Sequence, residues 1–75
     1  MLKKIKLDKA ELNKNYIVTD ILESSQQLKN YGIYLGAVIT PLYRSIAKRI
    51  CAYKNYYGVF AIRNETAKSV MVKNE

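Results

Sequence analysis

The apolar residues of this chain fall into short β-branched and aromatic runs, and none is long or periodic enough to build a substantial helix. Residues 16–22 (YIVTDIL) read as a first strand. Residues 37–43, 50–53, 58–62 and 70–72 follow as four more. Pro41 cannot donate to a ladder, so the second strand carries it at an edge or a bulge. The exception to this pattern is residues 23–31. There Ser24 stands three residues before Gln27, a capping-box signature, and Leu28 and Tyr31 share a face. Gly32 follows as a natural stop, so a helix of about two turns is expected between the first two strands. Asn64 is placed to cap a helical turn over residues 65–68, just before the last strand. Five short strands, one small helix after the first and a helical turn before the last make a mainly β, partly open barrel the natural solution. The lead-in, residues 1–15, is expected to tuck Leu7 and Ala10 or Leu12 against that barrel, and residues 44–49 read as a connecting loop.

With 75 residues the chain fits a single domain, residues 1–75, with one small core. There is no histidine, and Cys51 is the only cysteine, so a histidine-based catalytic centre, a Cys/His zinc site and an internal disulfide are all excluded. Six scattered carboxylates supply no catalytic dyad, so no enzyme and no cofactor are expected. No apolar run approaches the roughly 20 residues of a membrane helix, and no secretory leader follows the charged start, which makes the cytoplasm the default location. The formal charge of +7 favours an anionic partner, yet Lys dominates over Arg, the side chain that reads phosphates and bases bidentately. The charge reads as a general solvated surface, with a basic face for a dedicated partner as the alternative.

Three stretches carry a resemblance to a known family. The first is Leu28-x-x-Tyr31-Gly32-Ile33-x-x-Gly36-x-x-Ile39, the second Ala61-Ile62-Arg63-x-Glu65-x-Ala67, and the third Ile50-x-Ala52-Tyr53. In order and spacing, from Leu7 to Val72, they resemble the FeoA family of small ferrous iron transport accessory proteins. Leu28, Gly32, Gly36, Ala61, Arg63 and Ala67 fall on its structural motif. Physical reasons stand beside these matches. Gly32 suits a left-handed helix end, Gly36 a tight reversal, and Arg63 is placed to pair with Glu65 and lock the barrel. There are departures too. Leu35 replaces a usual Pro, Asn13 a turn Gly, Pro41 a commoner Val and Tyr57 the hairpin Gly.

The resemblance implies an SH3-like barrel that modulates ferrous iron uptake from the cytoplasmic side by contacting the membrane transporter FeoB, near the inner face of the cell membrane. Ile33, Tyr34 and Leu35, at the helix exit, are the expected partner-binding residues, since an aromatic and two aliphatics in so short a loop cannot all point inward. Transition metal binding is attached to the same family, but without imidazole no metal ligand is assigned; Asp8 with Glu11 and Asp20 with Glu23 make at best weak carboxylate pairs. The alternative is a small basic barrel that binds RNA or DNA, with Tyr residues as a stacking platform.

Overall fold

A computed structural model describes residues 3–22, 26–45 and 49–75. Its elements are β1 (Ile5–Lys6), β2 (Tyr16–Ile21), α1 (Gln26–Asn30), β3 (Val38–Ser45), β4 (Ile50–Asn55), β5 (Gly58–Arg63), α2 (Asn64–Ala67) and β6 (Val70–Asn74), with a 3-10 turn at Leu7–Lys9. The strands form one antiparallel sheet in the order β1-β6-β2-β3-β4-β5, an SH3-like, partly open barrel. The lead-in thus contributes a sixth strand. It is only two residues long, pairing Ile5 with Val72 and Lys6 with Met71. Leu7 and Ala10 behind it are fully buried, while Leu12 is exposed.

Alternation explains which side chains make the core. On β4, Cys51, Tyr53 and Asn55 point inward; on β3, Ile39 and Pro41 do so, and on β6, Val70 and Val72. Of these, Tyr53, Ile39, Val70 and Val72 close around one interior with Tyr16, Val18, Leu28, Ile33, Ile62 and Ala67. Pro41 sits in an inner strand rather than at an edge. The β3–β4 register slips between Pro41 and Tyr43, and this bulge absorbs the missing donor. A second slip, between Val18 and Asp20, bends β2 against β6, and the Thr19 hydroxyl donates to the Met71 carbonyl there.

Several boundaries differ from the sequence reading. β3 runs on through Arg44 and Ser45, because Arg44 turns inward and donates to the Ala10 carbonyl. β4 extends to Asn55, which pairs with Gly58 and leaves only Tyr56 and Tyr57 to close the hairpin. Asn64 does not cap α2. It is the first helical residue, its N–H donates to the Arg49 carbonyl, and its buried side-chain oxygen has no partner among the described residues. The capping-box serine, Ser24, lies outside the described residues.

Two glycines at the exit of α1 take positive φ for different reasons. Gly32 (φ +78°) ends the helix; a Cβ there would lie 2.6 Å from the Asn55 amide nitrogen and 2.8 Å from the Tyr57 ring. Gly36 (φ +88°) has open space where its Cβ would be. Gly36→Ala is therefore expected to cost only the left-handed conformation, about 1 kcal/mol. Gly32→Ala adds two close contacts to the same penalty and should cost clearly more. Thermal melts of the two variants side by side check this difference.

Candidate docking site

The loop that leaves α1 is built by backbone bonds at both ends. The Ile33 N–H donates to the Leu28 carbonyl at 2.9 Å and the Gly32 N–H to the Lys29 carbonyl at 3.1 Å. This is the Schellman pattern, and it packs Ile33 against Leu28 inside the barrel. The next four residues make a turn in which the Ala37 N–H donates to the Tyr34 carbonyl at 3.0 Å. Gly36, with positive φ, occupies the third position of that turn, the type II signature. Leu35 is then the corner residue, a position that favours Pro, and its side chain is 64% exposed. Tyr34 is 44% exposed beside it.

Ile33 corrects the sequence reading. As the residue after the left-handed glycine it must fold back on the helix, and it is completely buried. The loop therefore offers Tyr34 and Leu35 alone. Arg63 is a second correction. It is exposed on the outer side of β5 and forms no ion pair with Glu65, although both border the same shallow cavity. Alternation that buries Ile62 sends the next side chain to solvent. The other motif positions, Leu28 and Ala67, are buried, and Ala61 is exposed.

The loop is fixed to the β4–β5 hairpin by a residue that sequence reasoning passed over. Asn55, 8% exposed, donates its amide to the Tyr31 carbonyl at 2.7 Å, and its own oxygen accepts the Tyr57 N–H at 2.8 Å. The Tyr53 hydroxyl donates to the same Tyr31 carbonyl at 3.1 Å. Continuing the inward alternation Cys51, Tyr53 by one step would have identified Asn55; its turn-like neighbours concealed it. Burial pushes the Tyr53 phenol pKa far up, with Tyr31 and Cys51 adding to the effect.

Above this clamp the exposed aromatics meet. Tyr57 raises the pKa of Tyr34 through its own charge and a side-chain hydrogen bond, with partial burial contributing. Tyr56 packs edge-on against Tyr57 at 5.3 Å between ring centroids. Tyr56 is 90% exposed and Tyr57 63%. Tyr34, Tyr56, Val38 and Lys54 border an open trough of about 660 Å³. The arrangement is a rigid apolar and aromatic surface that suits contact with another macromolecule.

No group of three or more potential metal ligands occurs among the described residues. Glu11 is paired with Lys14, and Asp20 with Lys4 at 3.1 Å, an exposed pair whose hydrogen bond holds the Asp20 carboxyl below its usual range. Glu23 lies outside the described residues. No described helix is long and apolar enough to cross a membrane.

No family model matches the sequence, and no curated protein matches it significantly. Solved structures do. The crystal structure of an iron uptake regulatory protein, FeoA, superposes with a TM-score of 0.87 at 27% identity, over 99% of this chain and 100% of that one. An FeoA-like protein from Clostridium acetobutylicum follows with a TM-score of 0.84 and 22% identity, over 99% and 90%. The crystal structure of ScaR with bound zinc contains a similar fold, with a TM-score of 0.83 and 15% identity, over 95% of this chain but only 37% of that one. The chain has an FeoA-like fold.

Two measurements probe the clamp. Asn55→Ala removes the bond to the Tyr31 carbonyl, which keeps the Tyr53 hydroxyl, and the bond from the Tyr57 N–H, so a loss of about 1–3 kcal/mol is expected in chemical denaturation. Tyr53 gives a pH signature. A phenol whose pKa is raised by folding stabilises the native state fully below its unfolded value, near 10, and loses that contribution as pH climbs towards the folded value. Stability should therefore fall as pH rises above about 10, and Tyr53→Phe should flatten that part of the curve.

Proposed function

We propose that this chain is an accessory protein of ferrous iron uptake that works in the cytoplasm by contacting the cytoplasmic region of an FeoB-type transporter. The observation that carries this reading is the match to the FeoA structure along essentially the full length of both chains. The site agrees with it. Tyr34 and Leu35 sit on a loop whose ends are fixed by backbone bonds, so little conformational freedom is lost when a partner covers them. Tyr56 and Tyr57 extend the same surface from the hairpin. Contact rather than chemistry is the role in this reading, and the transporter supplies the passage for iron.

Leu35→Asp tests it. The side chain is exposed, so the circular dichroism spectrum and melting temperature should stay close to those of the parent. Binding to a purified cytoplasmic region of an FeoB-type transporter, measured by calorimetry, should be lost. Parent protein that fails to bind that region removes the reading, as does a Leu35→Asp variant that binds equally well.

A further inference from the structure

The charge of the molecule is unevenly placed. None of its six carboxylates lies in β3, β4 or β5, which together carry Arg44, Lys54 and Arg63. Arg44 is turned inward, to the Ala10 carbonyl. Lys54 and Arg63 are exposed and take part in no ion pair among the described residues.

The register places these cations on one face. Across the three strands, the outward residues line up as Thr40, Lys54 and Val59, then Tyr43, Ala52 and Ala61. A third row holds Ser45, Ile50 and Arg63. Tyr43 and Val59 are 60% and 61% exposed. The middle row has two alanines side by side, so the face is shallow at its centre and higher at its borders. Lys54 stands at one end, next to the trough bordered by Tyr56, and Arg63 at the other. Val59, paired with Lys54, is four residues from Arg63 along β5, which separates the two cations by about 13 Å. Glu65 reaches only the Arg63 end, where it shares a cavity with Arg49, Ile50 and Arg63 without pairing to Arg63.

We infer that this outer face of β3–β5 binds an amphipathic segment of a partner protein, an apolar stripe bordered by carboxylates. This inference does not depend on the iron-uptake reading. A shallow aliphatic centre fits a packed helix, and a partner that covers the two end cations needs negative charge opposite them. A second copy of the chain does not meet that need, because face-to-face packing brings Lys54 and Arg63 against their own kind with no carboxylate on the strands. Nucleic acid fits poorly as well. The rows offer one aromatic ring, Tyr43, where a strand of bases wants several, and their two cations, even with Arg49 beside Arg63, make no continuous track for its phosphates.

The test is selection of a displayed library of amphipathic helical peptides on the full chain, with the border positions randomised. Enriched peptides should carry Asp or Glu at the borders. A synthetic peptide from that pool should shift the amide resonances of Thr40, Ala52 and Val59, and bind about tenfold or more weakly to the Lys54→Glu, Arg63→Glu double variant. Both residues are exposed, so the variant should melt like the parent; Lys54→Gln with Arg63→Gln serves if it does not. No enrichment, basic or uncharged borders, or equal binding to the charge variants overturns the proposal. So does tight binding of a single-stranded oligonucleotide to this face, or dimerisation that Val59→Asp abolishes.

Discussion

The Tyr31 carbonyl holds the structure together at its most composite point. It closes a helix of little more than one turn, which could not persist alone, and it receives the Asn55 amide and the Tyr53 hydroxyl from a strand more than twenty residues away. A helix C-terminus leaves carbonyls that require donors, and here the sheet supplies them. Because Asn55 also accepts the Tyr57 N–H, one buried side chain fixes the helix exit and the β4–β5 turn in a single geometry. The surface made by Tyr34, Leu35, Tyr56 and Tyr57 inherits its rigidity from that bond set.

Much of this was legible in the sequence wherever local chemistry and tertiary demand coincide. The β-branched runs became strands, Gly32 lies at a Schellman end, Gly36 lies at a tight turn, and Asn13 adopts φ +64° where the resembling family has glycine. The FeoA-like, SH3-like fold follows from the same pattern. Where pairing partners decide the outcome, the sequence was silent. Ile5 and Lys6 form a strand only because Val72 and Met71 lie beside them. Asn55 looked like a turn residue because its packing, not its propensity, makes it a strand residue. Ile33 and Leu35 are alike in chemistry and differ by two positions, yet a left-handed glycine buries one and a type II corner exposes the other.

Two surfaces emerge with different physics. The loop and hairpin aromatics protrude and are rich in hydroxyl-bearing rings, the kind of group that anchors a contact at its centre. The outer strand face is flatter, aliphatic and bordered by cations, a surface that selects a partner by charge as much as by area. They meet along the trough by Tyr56, so a single large partner can span both.

The order of strands has a consequence for how the protein is made. β6, latest in the chain, lies between β1 and β2 in the sheet, so β1 has no neighbour until β6 has arrived. A nascent chain on the ribosome can pair β2 to β5 as they emerge, but Leu7 and Ala10 stay without their enclosing wall until β6 has followed. Closure of the sheet thus waits on its last strand, and chains cut short before Val70 are left with the β2 edge open, a ready substrate for proteolysis or for pairing with another strand.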